Sequence, residues 1–330
     1  MNTPNLFSFA TSELSQDAFI CWLLSWAKSE YSNADKELHD CALNLISAFF
    51  KKHDQTIPKE INEINVSKQD KKIDVLCVIN NEFAIIIEDK TSTKDHSNQL
   101  ARYYSEIERR NFSLDKILPI YYKTEDQSNY KQVEENGYKP FLREDILKVL
   151  NSYSGKNTIL LDYRSHINDI SQKVESFKTL PIDSWNWHSW IGFYLELQAE
   201  FNTGDWGYVA NPTGGFLGFW WHKQGDNESK QYLQLEHKNK KLCFKIRVDE
   251  KSLRKHLRNK WNKAILSKSK TQSSLVIEKP NRFGSGNYMT VCVLNQDFRV
   301  SNEHNILDIK ETIQLLKSAE NLLASVQVSA

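Results

Sequence analysis

Two strongly apolar segments separated by a short polar stretch constrain the fold of this chain more than any other feature. "IDVLCVI" covers residues 73–79 and "FAIIIEDK" covers residues 83–90. Runs of this kind, rich in β-branched residues and joined by a tight polar turn, predict two neighbouring strands. Because successive positions are apolar, both faces of these strands have to be buried. We therefore expect helices on both sides of the sheet.

The second strand ends in charges where a buried strand should stay apolar. Side chains alternate along a strand, so Glu88 and Lys90 share one face and Asp89 lies on the other. A loop of three residues, 80–82, places Asp74 directly opposite Glu88. A loop of two residues puts the two carboxylates on different faces unless a bulge intervenes. A site that both carboxylates share therefore predicts the longer loop or a bulge.

Two carboxylates brought together in a buried place repel each other and lose hydration. Lys90 supplies one positive charge against Asp74 and Glu88. A divalent cation would offset the remainder, and ligands that are all oxygen suit Mg²⁺ or Mn²⁺. The alternative is a structural cluster of ion pairs at the strand end.

An Asp, a gap and then Glu-x-Lys at the end of the next strand resemble the motif of the PD-(D/E)XK nuclease superfamily. Here the motif reads "IDVLCVINNEFAIIIEDK", with Ile73 in place of the Pro that names it. "HSNQLARYY" places Gln99 where the superfamily often has a Gln in the following helix. "TSELSQDAFICWLL" is similar to the first helix of a bacterial branch, in which a Glu completes the metal site, and Glu13 matches that Glu. The resemblance covers about residues 7–125, and "GGFLGFWW" and "LCFKIRV" are less specifically similar to the branch's second domain.

The resemblance implies a metal-dependent deoxyribonuclease with an α/β, restriction-endonuclease-like core, a mixed central sheet flanked by helices. It implies the catalytic residues Glu13, Asp74, Glu88, Lys90 and Gln99. It also implies Mg²⁺ or Mn²⁺ held by Glu13, directly or through water, by Asp74 and Glu88, and by the backbone carbonyl of Asp89. Lys90 would stabilise the developing charge or position the attacking hydroxide. Gln99 would orient Lys90 or a phosphate oxygen.

Two of these residues also have simpler interpretations, and so has the nearby His96. Glu13 could be a carboxylate favoured in the first turn of a helix that Thr11 or Ser12 caps, and Asp17 is a competing ligand one turn later. Gln99 could be a solvated helix residue. His96, in "KDHS", is better explained as a turn or cap residue than as a general base.

Charge is distributed unevenly although the net charge is only +1. Residues 236–282 carry 15 Lys or Arg against 4 Asp or Glu, whereas residues 1–65 carry 5 Lys against 9 Asp or Glu. A basic helix is predicted at 250–266, with an apolar stripe of Leu253, Leu257, Trp261 and Ile265. Off that stripe lie four predicted nucleic-acid-binding residues, Arg254, Lys255, Arg258 and Lys263. The alternative is a solvated lysine-rich surface.

The remaining pattern predicts an α/β domain over 1–180 and an α+β domain over 181–330. The resemblance implies that the first is a nuclease core and that the second binds DNA or mediates dimerisation. Helices are expected in "ELSQDAFICWLLSWAKSE" and at 36–52, 97–110, 141–151, 165–178, 186–202 and 307–324. Further strands are expected in "EINEINVSK" and "DKILPIYYKT", in hairpins starting at Trp206 and Tyr232, and near 274–279 and 288–299. "RFGSGN", at 282–287, is interpreted as a turn.

Several other classes of protein are not indicated. No apolar run approaches the length of a membrane span, and the first residues lack the pattern of a secretion signal, so we expect a cytoplasmic protein. The five cysteines form no CxxC pair, which predicts reduced thiols and no zinc site. The resemblance further implies DNA as partner, a homodimer or a subunit of a defence complex, and a role against phage or foreign DNA. Two rival functions stay open: a non-catalytic nucleic-acid-binding subunit and a nuclease that cuts RNA.

Overall fold

The computed structural model describes residues 4–91, 99–211, 214–225, 228–272 and 275–327. The chain divides into two units, Met1–Gln172 and Lys173–Ala330. Within the described ranges, no helix combines the length and the apolarity that crossing a membrane requires. The five cysteines are free thiols, and four of them are buried.

The first unit is built on a five-stranded sheet whose central strands include both apolar runs of the sequence. Its elements in chain order are α1 (Glu13–Ser25), α2 (Lys36–Lys52), β1 (Ile64–Asp70), β2 (Ile73–Ile79), β3 (Phe83–Lys90), α3 (Gln99–Glu108), β4 (Ile117–Lys123), α4 (Lys131–Glu135), β5 (Lys139–Leu142), α5 (Arg143–Asn151) and α6 (Thr158–Glu175). The strands follow the order β1-β2-β3-β4-β5. β1 pairs with β2, and β2 with β3, in antiparallel orientation. β3 pairs with β4, and β4 with β5, in parallel orientation. This mixed sheet between helices is the predicted core.

Helices cover both faces of this sheet, as the continuous apolar runs predict. Ile85 and Ile87 of β3 pack in one core with residues of α1, α2, α5 and α6. Ala84 and Ile86 pack in a second, smaller core with residues of α3 and α4. Since every residue of β3 is buried, the charged end of the strand is enclosed as well.

The loop between β2 and β3 has the length that a shared carboxylate site requires. Ile79 pairs with Phe83, which leaves residues 80–82 as the loop. The same register, continued along the hairpin, brings Asp74 to the level of Glu88. The longer of the two predicted loops is therefore confirmed.

Two asparagines allow the loop to turn so tightly. Asn80 and Asn81 both have φ of 52°, in the left-handed region that Asn tolerates better than most residues. The side-chain oxygen of Asn80 accepts from the backbone N–H groups of Asn62 and Glu63 at 2.9 and 3.1 Å, and its amide donates to the carbonyl of Glu60 at 2.9 Å. Asn80 therefore ties the turn to the segment that leads into β1.

The second unit contains a six-stranded antiparallel sheet. Its elements are α7 (Trp187–Glu200), β6 (Asp205–Val209), β7 (Phe216–Gly225), β8 (Lys230–Glu236), β9 (Lys241–Arg247), α8 (Arg254–Gln272), β10 (Ile277–Glu278), β11 (Tyr288–Leu294) and α9 (Ile309–Ser325). The strand order is β10-β11-β9-β8-β7-β6. One face of this sheet packs with α7, α8 and α9 in a single core. Both predicted hairpins, β6–β7 and β8–β9, are confirmed.

The sequence pattern missed two elements and misplaced a third. α4 has only five residues, too few to show a helical period, and β5 has four residues that include Pro140. Pro140 is tolerated because β5 is the edge strand of its sheet. α6 begins at Thr158, not at residue 165, because Asn157 caps it by accepting from the N–H groups of Ile159 and Leu160 at 3.1 and 3.3 Å.

Replacing Asn80 tests the loop. Asn80→Ala removes three side-chain hydrogen bonds and places a residue that avoids positive φ at 52°. We expect a loss of about 2 kcal/mol in the free energy of unfolding of the first unit, measured by urea denaturation. Asn81→Gly keeps the backbone permissive and should change stability by less than about 0.5 kcal/mol. Equal effects of the two substitutions would refute this role of Asn80.

Candidate active site

Three oxygen-bearing residues converge on the ammonium of Lys90 at the end of β3. Lys90 Nζ forms an ion pair with Glu88 Oε1 and donates to the backbone carbonyl of Asp89 at 3.0 Å. Asp74 Oδ2 lies 3.9 Å from the same nitrogen and accepts from the backbone N–H of Asp89 at 3.0 Å. The three predicted ligand groups, two carboxylates and one carbonyl, therefore surround a single cationic point.

The donor set at this point fits Mg²⁺ or Mn²⁺. All of its atoms are oxygens, the ligands that these ions prefer. Glu88 Oε2 is buried and, among the described residues, receives no hydrogen bond, so it has a lone pair to offer. Nowhere in the described ranges does a group of three or more His, Cys, Asp and Glu side chains form a ready metal cage. Among the described residues, the acidic side chains that approach this point to within 4 Å are those of Asp74 and Glu88, and the third oxygen is the main-chain carbonyl of Asp89.

The electrostatics of the cluster show a surplus of negative charge. Burial, reinforced by the charge of Asp74 and opposed by Lys90, raises the pKa of Glu88 from 4.5 to about 8. Burial disfavours the charged form of Lys90, but the charges of Glu88, Asp74 and Glu13 outweigh it and raise its pKa. One ammonium thus faces more carboxylates than it can neutralise, and the most deeply buried of them holds its proton.

Glu13 lies beside the site and is fixed to the end of β3. Ser12 accepts from the N–H of Ser15 at 3.3 Å, so α1 begins at Glu13, and Ser12 is the cap of the two predicted. Glu13 Oε1 accepts from the backbone N–H of Thr91 at 3.1 Å. Its charge also acts on Lys90, as the pKa of that lysine shows. The first turn of α1 therefore brings a third carboxylate to the charged end of the strand.

Asp17, the competing ligand, approaches from the side of Asp74. The amide of Gln69 donates to both residues, to Asp17 Oδ2 at 3.3 Å and to Asp74 Oδ1 at 3.2 Å. Burial raises the pKa of Asp17 to about 6, and the charge of Asp74 adds to the effect. Gln69, which the sequence did not single out, joins the two carboxylates.

The side chain of Asp89 serves the opposite face of β3. Its Oδ1 accepts from the amide of Gln16 in α1. The oxygen of that amide accepts from Thr124 Oγ1 at 3.1 Å and from the hydroxyl of Tyr163 in α6 at 3.2 Å. Burial, the largest influence, raises the pKa of Asp89 well above its usual value. This buried network holds the strand end between two helices, while only the carbonyl of Asp89 reaches the Lys90 side.

Gln99 is the first described residue of α3 and is bonded to Tyr103. Its amide donates to the tyrosine hydroxyl at 2.8 Å, whereas the sequence interpretation gave it Lys90 or a phosphate oxygen as partner. Burial raises the pKa of Tyr103, and the charge of Glu88 adds to this, so the hydroxyl lies within reach of the site's field. His96 lies outside the described residues.

A second buried lysine was missed by sequence reasoning. Lys123 ends β4, pairs in register with Lys90 and donates from Nζ to the carbonyl of Thr91 at 2.7 Å. Burial lowers its pKa to about 8, against the charges of nearby carboxylates that include Glu13. The sequence signal for this residue was the Lys before the final Thr of "PIYYKT". It reaches the level of Lys90 once β4 is paired in parallel with β3.

The basic helix α8, in the second unit, has the predicted apolar stripe. Leu257, Trp261 and Ile265 are buried in its core. Lys255 and Lys263 are exposed on other sides of the helix, so their ammonium groups are accessible to phosphates.

The two arginines of the predicted nucleic-acid-binding set have partners within the protein. Arg254 donates to the carbonyls of Val248 and Asp249 at 3.1 and 2.9 Å. Arg258 donates to the carbonyl of Gly284 at 2.8 Å and lies over the ring of Phe283. Both are half-buried and brace the chain around the helix, which the pattern of the helix alone could not indicate.

Comparison with known proteins agrees with the motif. The model of the PD-(D/E)XK nuclease superfamily matches residues 4–189. No curated protein and no solved structure matches the chain. The matched segment contains Glu13, Asp74, Glu88, Lys90 and Gln99.

The raised pKa of Glu88 predicts how stability depends on pH. Between pH 5 and about 8 the folded protein keeps a proton on Glu88 that the unfolded chain releases, so wild-type stability falls as the pH rises. Glu88→Gln cannot titrate. Without metal, its stability relative to wild type should increase by about 2 kcal/mol between pH 5.5 and 8, measured by urea denaturation. Exposed Glu134→Gln is the matched control, and a difference that stays constant with pH would contradict the assignment.

Proposed function

The chain belongs to the PD-(D/E)XK nuclease superfamily, and from this premise we propose that it is a Mg²⁺- or Mn²⁺-dependent deoxyribonuclease that hydrolyses DNA phosphodiester bonds. The observation that carries the proposal is the convergence of Glu88, Asp74 and the carbonyl of Asp89 on one cationic point beside Lys90. A structural ion-pair cluster needs no surplus of carboxylates, whereas a site for a divalent ion does.

Asp74 and Glu88 would hold the ion through their carboxylates, with the carbonyl of Asp89 as a further ligand. When bound, the ion polarises the scissile phosphate and lowers the pKa of a water molecule. With Asp74 and Glu88 holding the ion, the ammonium of Lys90 would be available to a phosphate oxygen on the same side. Lys90 then stabilises negative charge as it develops.

Glu13 and Lys123 would act as a pair around Thr91. Glu13 accepts from the N–H of Thr91, and Lys123 donates to its carbonyl. The backbone N–H and the backbone carbonyl of Thr91 are thereby fixed, directly after the strand that carries Glu88 and Lys90. In this proposal Glu13 also reaches the ion, directly or through water, and Gln99 orients Tyr103 beside the site.

The second unit would hold the DNA or join two copies of the chain. Exposed Lys255 and Lys263 of α8 are the proposed phosphate contacts, since Arg254 and Arg258 are bonded within the protein. As the superfamily resemblance implies, the enzyme would act in the cytoplasm of a bacterium against phage or foreign DNA, as a homodimer or within a defence complex.

Cleavage of plasmid DNA tests the activity. We expect the wild-type chain to nick or linearise plasmid with Mg²⁺ or Mn²⁺ and to be inactive with EDTA. Lys90→Ala should slow cutting by a factor of about 10² or more, because a charge-stabilising group is lost. Lys139→Ala, which removes an exposed lysine of the same unit, should cut like wild type. Melting curves of each variant check that it is folded. Lys90→Gln is a second test of the same lysine should Lys90→Ala fail to fold.

The outcomes of this assay distinguish the rival functions. If wild-type protein cuts RNA and leaves DNA intact, the chain is a ribonuclease. If it cuts neither with any divalent ion, the non-catalytic binding subunit is the better description.

Metal binding can be measured without activity. Mn²⁺ at 100 times its Kd should stabilise the wild-type protein by about 2.7 kcal/mol, seen as a rise in Tm. Because the ion competes with the proton on Glu88, one fixed Mn²⁺ concentration should raise the Tm more at pH 8 than at pH 6. Asp74→Asn and Glu88→Gln should abolish it, whereas Asp169→Asn, an exposed carboxylate of α6, should retain it. An undiminished rise in Tm in Glu88→Gln would place the ion elsewhere.

A further inference from the structure

The sheet of the second unit has two unlike faces. Alternate residues of its strands, among them Leu217, Phe219, Leu233 and Phe244, belong to the core formed with α7, α8 and α9. The residues between them point to the other face. Among these, Phe216, Trp220, Tyr232 and Tyr288 belong to none of the hydrophobic clusters in the described part of the chain. This second face is called the aromatic face below.

Cations alternate with the aromatic side chains across this face. Lys230 of β8, Arg247 of β9 and Tyr288 of β11 stand side by side in one row. Tyr232 and Lys245 are neighbours in the next row. The guanidinium of Arg247 lies 5.6 Å from the centre of the Tyr288 ring. Such interleaving of basic and aromatic side chains on one face of a sheet is typical of surfaces that bind single-stranded nucleic acid.

Small residues let the rings lie close to the sheet. A Cβ atom at Gly218 would stand 3.1 Å from the ring of Phe216, and one at Gly207 would stand 3.6 Å from the ring of Trp220. The ring of Phe216 therefore lies over its own strand, β7, and the ring of Trp220 lies over the neighbouring β6. The middle of the face, including Gln234 and Cys243, is buried. The rings at the rim are more open, and Tyr288 is 58% exposed.

The charge of the face is positive around Tyr232 and Tyr288. Within the described residues, neither Lys230 nor Lys245 forms a salt bridge, while Arg247 is paired with Asp249. The acidic residues of this face lie away from that corner. Glu236, at the other end of β8, is the register partner of Lys241, Asp205 is the partner of Trp220, and Glu278 is on the edge strand β10. The cations without acidic partners therefore lie beside the half-buried ring of Tyr232 and the exposed ring of Tyr288, an arrangement that suits a polyanion carrying flat, stackable groups.

We infer that the aromatic face binds single-stranded DNA, with bases stacked on Tyr288, Tyr232 and Trp220 and phosphates on Lys230, Lys245 and Arg247. The choice of DNA rests on the proposed function, whereas the preference for an unpaired strand rests on the face itself. A duplex buries the faces of its bases in its own stack, so it gains nothing from exposed rings. The inference narrows the substrate to DNA that contains an unpaired segment.

Binding of a labelled 15-nucleotide oligo(dT) to the full-length chain in EDTA, followed by fluorescence anisotropy, tests the inference. Tyr288→Ala should weaken binding about fivefold or more, the effect of losing one base–aromatic stack. Tyr208→Ala is the matched control, because Tyr208 is 60% exposed but alternates with the aromatic face on β6; it should bind like wild type. Lys230→Ala should weaken binding and reduce the slope of log K against log salt by about 0.7, whereas Lys310→Ala, an exposed lysine of α9, should not.

Four results would overturn the inference. Tyr288→Ala and Tyr208→Ala could bind equally well, or a duplex of the same length could bind as tightly as oligo(dT). Oligo(U) could bind more tightly than oligo(dT), which would make RNA the ligand. Gel filtration could show a dimer that Tyr288→Ala dissociates, which would make a second copy of the chain the occupant. Because this binding is measured without metal, its failure leaves plasmid cutting intact, and a failure to cut plasmid leaves this result intact.

Discussion

The hydrogen bond between Lys90 and Glu88, which becomes an ion pair when Glu88 is ionised, is the interaction on which the site depends. Both side chains are buried at the end of a strand whose every residue is buried. Charges in such a place are stable only when they are paired and hydrogen-bonded, because burial removes their hydration. The pair is not balanced, since Asp74 and Glu13 also act on the same ammonium. A cluster with more carboxylates than cations gains stability from any further positive charge, and this is the physical basis of the proposed ion site.

The two-residue period of a strand allows β3 to hold such a cluster. Glu88 and Lys90 point to the side of α3, where chemistry is proposed. Between them, Asp89 turns to the side of α1 and α6, where Gln16 holds it in a network that includes Tyr163. The same three residues thus form the proposed reactive cluster and anchor the strand that carries it. A rigid anchor matters because ligands have to be held close to their productive geometry before an ion or a phosphate arrives.

The sequence predicted those parts of the site that depend on local periodicity. The alternation of β3 and the Asn-Asn turn were enough to reduce the register to two alternatives, and one of them places Asp74 at the level of Glu88. Contacts between distant segments carried no comparable signal. Gln16 meets Asp89 across 73 positions of the chain, and Lys123 reaches Thr91 only because β4 pairs in parallel with β3. The arginines of α8 show the same limit, since a helical wheel gives the face of Arg258 but not its bond to the carbonyl of Gly284.

The near-zero net charge of the chain has a consequence for how it can meet DNA. A protein of net charge +1 exerts little long-range attraction on a polyanion. At physiological salt, charges separated by more than about 8 Å of water are largely screened. Acidic residues of positions 1–65 that lie further than this from the basic cluster of positions 236–282 therefore do not cancel its charge. Attraction has to come from local groups of cations, such as those beside Tyr288 and on α8. Binding through a few local phosphate contacts is sensitive to salt. Stacking of bases on aromatic rings is the contribution to the binding free energy that salt does not screen. A surface that combines the two keeps its hold on an unpaired strand under conditions in which lysines alone would release it.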